Sequence, residues 1–195
     1  MSIALTVFQG RAGDHNDLAM PGAKAIGDQL GAMLGLVPLT IGHPEAALST
    51  DWRTELDHAL PALRMVQRRL EQIFLDGDKP LSATSRCAVS LATLPVVAKF
   101  RQDACIVWFD AHADLNTPAS TGSGYLGGLA LSGPAGLWES GIGAFNRSAF
   151  NVEMRVRWAR HVSSPEKQKL IPDRSPLSSP TPRFEQGTCS VHPRK

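Results

Sequence analysis

The chain lacks what several protein classes require. No stretch approaches the ~18 consecutive apolar residues of a membrane-spanning helix, so none is expected. Met1 to Phe8 has neither the basic start nor the long apolar core of a signal peptide, and it reads as a first strand. Cysteine is sparse and odd in number. Cys87, Cys105 and Cys189 imply no disulfide framework and fit a reducing compartment, so a cytoplasmic location is expected. No phosphate-binding loop occurs. The first strand leads into Phe8-Gln9-Gly10-Arg11-Ala12-Gly13, which lacks the Gly-x-Gly-x-x-Gly spacing of a dinucleotide fold. Internal repeats are absent.

Charge of one sign is scarce too, once the chain is divided. Residues 1–150 carry 11 Lys/Arg and 14 Asp/Glu, whereas residues 151–195 carry 9 and 4. A basic end of this kind can mark a tail for nucleic acid or membrane. Here the basic residues are scattered, with no interleaved aromatics for base stacking. Neither nucleic acid nor a membrane is expected as a partner.

What is present is an alternation of strand and helix signals, the pattern of a parallel α/β sheet. With 195 residues and 43% hydrophobic content, one domain with a sizeable core is expected. Ile3–Phe8 reads as a strand and 10–16 as a polar turn. Pro21–Leu34 reads as a helix with Ala25, Ile26, Leu30 and Leu34 near one face. Leu36–Ile41 is a second strand. Thr50 or Asp51 is placed to cap a helix carrying Leu56, Leu60, Leu63, Val66 and Leu70 at helical spacing. Pro61 predicts a kink there, or two abutting helices. Asp76-Gly77-Asp78 is a turn, 79–83 a weak strand, and 87–100 a helix bent near Pro95. Residues 104–109 form the strongest strand signal. From 117 to 136 the chain has loop composition. From Pro172 on, five prolines fall in 24 residues without apolar periodicity, so 172–195 is expected to be disordered and 151–171 to be a poorly defined continuation.

The most informative segment runs from Val107 to Pro118. A buried strand enters two carboxylates and an imidazole at spacing two. Side chains on an extended chain alternate faces, so Asp110, His112 and Asp114 converge if the strand holds through Asp114. Such oxygen and nitrogen ligands suit a hard or borderline divalent cation. A metal would also relieve repulsion between the carboxylates. The bland alternative is a strand-end Asp, a satisfied His and an Asp in the next turn.

This segment, Asp110-Ala111-His112-Ala113-Asp114-Leu115-Asn116-Thr117-Pro118, with Ser123-Gly124-Tyr125-Leu126-Gly127-Gly128 behind it, resembles the arginase/agmatinase/formimidoylglutamase family of ureohydrolases. The resemblance covers roughly residues 3–145. It implies a three-layer open parallel sheet with helices on both faces, here incomplete. It implies manganese-dependent hydrolysis of a guanidino or amidino C–N bond, with Mn2+ as a dinuclear cofactor. Asp110 would bridge the metals, His112 would be a terminal ligand, and Asp114 would bind the other metal and hydrogen-bond the nucleophile. Asn116 and Ser123 would hold the substrate. A trimer or hexamer would be the usual assembly.

Departures from the family pattern accompany the resemblance. Cys87, after Arg86, stands where a ligand His is usual. A thiolate suits softer ions than manganese, and a buried cysteine is more often inert, so the inert reading is favoured. Tyr125 stands for an Asn and Gly127 for a His. No Asp-x-Asp follows Asp114. Compared with family members the chain ends early, so a truncated or frame-shifted product is expected. The alternative function is therefore an inactive ureohydrolase relative that only binds.

Overall fold

A computed structural model describes residues 1–142 apart from 103 and 105. The expectations for 151–171 and 172–195 lie outside the described residues. A parallel sheet forms in the order β2-β1-β3, from β1 (Ile3–Phe8), β2 (Leu39–Ile41) and β3 (Lys79–Thr84). Phe8 pairs with Ile41 on one side and with Thr84 on the other. β1 therefore has a neighbour along both edges. Its residues from Leu5 to Phe8 are all buried, as a central parallel strand requires.

Alternation along β1 sorts the helices onto two faces. Leu5 and Val7 meet α1 (Ala19–Leu34), because Gly31 and Gly27 lie against them. Phe8 points the other way, into a core with Leu56, Leu63 and Val66 of α2 (Trp52–Leu75). α3 (Ser90–Phe100) adds Leu91 and Ala92 to the same core. The result is α/β, with helices on both sides of the sheet.

The buried face of α1 differs from the expected one. Met20, Ala23, Gly27 and Gly31 are buried, while Ala25, Ile26 and Leu34 are exposed. The cause is close approach. A Cβ at Gly27 would lie 2.1 Å from Val7 Cγ2. Glycines let the helix backbone seat on the strand, and apolar periodicity counts only side chains.

α2 forms as its signals require. Asp51 is the N-cap, and its carboxylate accepts from the Arg53 and Thr54 backbone N–H groups at 2.9 and 3.3 Å. Glu55, fully buried, accepts from the Thr50 N–H at 2.9 Å. The helix is continuous through Pro61, so of the two expected arrangements the pair of abutting helices does not form. Proline there removes one helical donor, and the buried face from Leu56 to Ile73 holds the helix together regardless. Gly77, at φ 76°, closes the turn before β3.

The expected strand at 104–109 is corrected by the structure. Among the described residues of that span none belongs to a strand, and Phe109 is 92% exposed. Its Ile, Val, Trp and Phe content favours extended chain, but strand formation depends on a neighbour to complete the ladder. Among the described residues the sheet comprises β1, β2 and β3, and none of these pairs with 104–109.

Candidate metal centre

Open parallel sheets place their sites beyond the carboxyl ends of the strands. Two neighbouring strands deliver polar loops there. β1 ends at Phe8 and leads to Asp14. β3 ends at Thr84 and leads to Ser85, Arg86 and a 3-10 turn, Cys87–Val89. Ser85 Oγ donates to the Gly10 carbonyl at 2.9 Å, tying the loops together. Arg86 Nε donates to Asp14 Oδ1 at 2.8 Å, and Asp14 Oδ2 accepts from the Ala12 N–H at 2.9 Å. Asp14 is fully buried. Burial works against the Arg86 charge, but the Asp14 hydrogen bond and the charges of Tyr125, Asp14 and Cys87 together outweigh it, so the guanidinium is held more firmly protonated than usual.

Cys87 follows Arg86. Ala88 and Val89 are buried in the core and hold the turn in place. Sγ lies 3.4 Å from Asp110 Oδ2. Ligand atoms of Cys87, Asp110 and Asp114 all fall within 4.8 Å of one another. Burial first, then the charges of Asp114 and Asp110, push the thiol up to about 12. At neutral pH it is a thiol donating to a carboxylate.

The expected convergence of Asp110, His112 and Asp114 is half met. The two carboxylates come together, but the imidazole does not join them. Asp110 Oδ1 accepts from the His112 backbone N–H at 2.9 Å, a local turn in which the ring stays largely exposed. His112 Nδ1 lies 3.5 Å from Asp110 Oδ1. Asp114 has φ 49°, in the left-handed region, so the chain is not extended there and alternation fails. Asp114 is buried, and its carbonyl accepts from the Leu131 N–H at 2.9 Å.

The loop from 117 onward supplies the second wall. The Asn116 N–H donates to the Gly128 carbonyl at 2.9 Å. Ser132 Oγ donates to the Asn116 carbonyl and accepts from Trp138 Nε1 at 2.8 Å. Asn116 is partly buried, while Ser123 is exposed and its Oγ accepts from the Tyr125 N–H at 3.3 Å. Burial raises the pKa of the partly buried Tyr125, with Arg86 opposing.

One member of this arrangement, Asp14, has no counterpart among the residues singled out in the sequence. Asp14 gave a faint signal, an acidic residue in the loop after a parallel strand. Cys87, at the place of a usual ligand, lies in the cluster. The described donors do not fit a pair of manganese ions. They offer two carboxylates and one thiol, and a hard cation prefers oxygen and imidazole. One divalent ion is the most that two carboxylates can balance in charge. No helix among the described residues is long and apolar enough to cross a membrane.

Comparison with known proteins shows what the chain is similar to. The arginase family profile matches residues 12–167. N(omega)-hydroxy-L-arginine amidinohydrolase of Streptomyces lavendulae is 39% identical over 142 residues, 73% of this chain and 52% of that protein. Arginase of Schizosaccharomyces pombe is 40% identical over 78 residues, 38% of this chain and 22% of that protein. The chain thus spans about half the length of the first of these relatives, and a smaller share of the second. Among solved structures, arginase from Bacillus caldovelox superposes with a TM-score of 0.63 at 22% identity, covering 86% of this chain and 61% of that one. Arginase from Bacillus subtilis gives 0.62 at 19%, covering 86% and 59%. At such identities the structures speak for the fold alone.

Proposed function

The chain belongs to the arginase family, and from that premise we propose that it carries the substrate end and part of the metal end of a ureohydrolase. The reaction is hydrolysis of the C–N bond of a small guanidino or amidino compound. One observation carries the proposal: Asp110 and Asp114 share a cluster within 4.8 Å, beside loops from the carboxyl ends of two parallel strands. Asp110 and Asp114 would hold a divalent cation, with Asp114 the catalytic group of the pair. His112 stands beside Asp110 and would reach the cation only by turning inward. Asn116 and Ser123 would hold the polar end of the substrate. The 39% identical relative is named for a hydroxylated arginine, which puts N-hydroxyguanidines in the candidate class.

The described donors do not fit a manganese pair. What these residues do unaided is bind and orient. The carboxylates attract a cationic or strongly donating head group. Arg86, held by Asp14, keeps positive charge beside them.

The short donor set also favours a second reading, binding without turnover. Calorimetric titration with manganese, paired with urea or hydroxyurea release from L-arginine, agmatine and Nω-hydroxy-L-arginine, separates the two. Weak binding of one ion with slow release supports the hydrolase. Ion binding without product supports the second reading. No ion binding, or binding unchanged in Asp110→Ala, removes the metal-centre assignment.

A further inference from the structure

Gly127 is glycine for a reason that its backbone does not supply. Its φ is not in the left-handed region, so other residues could adopt it. A Cβ there would instead stand 2.5 Å from Tyr125 Cε1, 2.8 Å from Cζ and 3.0 Å from the phenol oxygen. The ring of Tyr125 therefore occupies the volume of a side chain at 127. It is held there from another side by His15, whose ring meets it edge-on at 4.9 Å. Gly128, the next residue, lies against the amide of Asn116, since a Cβ there would be 3.1 Å from Asn116 Nδ2. The phenol also sits within electrostatic reach of Arg86, Cys87, Asp14 and Asp114.

We infer that Tyr125 and Gly127 form one coupled element that sets ligand selectivity, the phenol replacing any side chain at 127 and favouring a guanidine that carries an acceptor oxygen. The inference rests on the function proposed above. Its chemical argument is donor and acceptor balance. Arg86 Nη2 is buried and donates to no described residue. The phenol, within electrostatic reach of Arg86, adds an O–H donor. A plain guanidinium has only N–H donors and no acceptor. A hydroxylated guanidine brings an oxygen that accepts from these groups while its remaining N–H groups serve the carboxylates. A site built to hydrogen-bond a hydroxyl discriminates strongly against the analogue that lacks it.

The test uses the full chain with manganese added, titrated with Nω-hydroxy-L-arginine and with L-arginine. The expected result is preference for the hydroxylated ligand by about tenfold or more, falling to near parity in Tyr125→Phe, which keeps the ring and loses the hydroxyl. Retention of the preference by Tyr125→Phe overturns the inference and leaves the ureohydrolase reading standing, as does equal affinity in the wild type. Binding of neither ligand by the wild type overturns both. A second measurement needs no ligand. Gly127→Ala should lower Tm, and Tyr125→Ala/Gly127→Ala should lie above the sum of the two single losses. Strict additivity would show that the two positions do not share a volume.

Discussion

Two phenylalanines end two apolar runs, and each run opens onto a polar loop of the same site. Phe8 closes β1 and is wholly buried, whereas Phe109 precedes Asp110 and is 92% exposed. The runs look alike in composition. They differ in neighbours. β1 has β2 along one edge, β3 along the other and helices on both faces. The described residues of 104–109 join none of these strands. A strand is a collective state, and an apolar run becomes one only where another backbone completes its hydrogen bonds. The consequence reaches the site. The half built on β1 and β3 is fixed by Ser85–Gly10 and Arg86–Asp14, whereas the half built after Phe109 turns at Asp110 and again at Asp114.

The comparison predicts a steep order of effects. The largest belongs to Phe8→Ala, which removes a buried ring from the core shared with Leu56, Leu63 and Val66. Its cost should be about 3–5 kcal/mol, read as a shift in the urea midpoint at constant slope. A loss below about 1 kcal/mol would mean that the β1 core is far looser than its burial implies.

Next comes Arg86→Ala. It strands Asp14, fully buried, with the Ala12 N–H as its remaining hydrogen-bond donor. Breaking a buried pair costs about 3–5 kcal/mol, and the low end applies because Arg86 keeps 21% exposure. Asp14→Asn/Arg86→Ala should recover part of this loss, since the carboxylate no longer needs a cation. If the double variant is no better than Arg86→Ala, burial of the Asp14 charge is not what Arg86 offsets.

The same contrast explains what the sequence made legible. The cap Asp51 and the Gly77 turn rest on local chemistry that few residues decide, whereas the β1 run was legible only because β2 and β3 complete its ladder. The α1 face differs from the apolar pattern because Gly27 and Gly31 pack backbone, which no apolar pattern records. Placing His112 with the two aspartates assumed an extended chain. Asp114 at φ 49° breaks that alternation, and Cys87 arrives from a strand more than 20 residues earlier. Distant partners, not residue types, were the missing information.

A smaller effect tests the join between the halves. The Asp51 cap lies beside Gly124 of the loop wall, where a Cβ would be 3.8 Å from Asp51 Cα. Hydrogen bonds from the Thr54 side chain, then from the Thr54 and Arg53 backbone, hold the Asp51 carboxyl below its usual range. A lowered folded-state pKa gives stability that is present above the unfolded value and fades as pH falls through the folded one. Asp51→Ala should lower Tm at neutral pH by less than Arg86→Ala does. The gap from wild type should shrink below about pH 4, where the unfolded-state carboxyl begins to protonate. A gap independent of pH would show that the cap acts through shape and not charge.

The smallest effect is expected at Phe109, and it is the sharpest test of the comparison. Phe109→Ala deletes the same ring as Phe8→Ala, from a position that neighbouring atoms barely cover. Substitution at exposed sites usually changes stability by no more than about 0.5 kcal/mol. The ring already meets water in the folded chain, so unfolding exposes little more of it. The urea midpoint should therefore stay within error of wild type. Calorimetric binding of a divalent ion at Asp110 should be unchanged as well, because Asp110 is oriented by the His112 N–H and the Cys87 thiol, not by its neighbour. A loss approaching that of Phe8→Ala would mean that Phe109 is covered in solution. In that case the ring is packed as Phe8 is, and the two apolar runs are alike in structure as they are in composition.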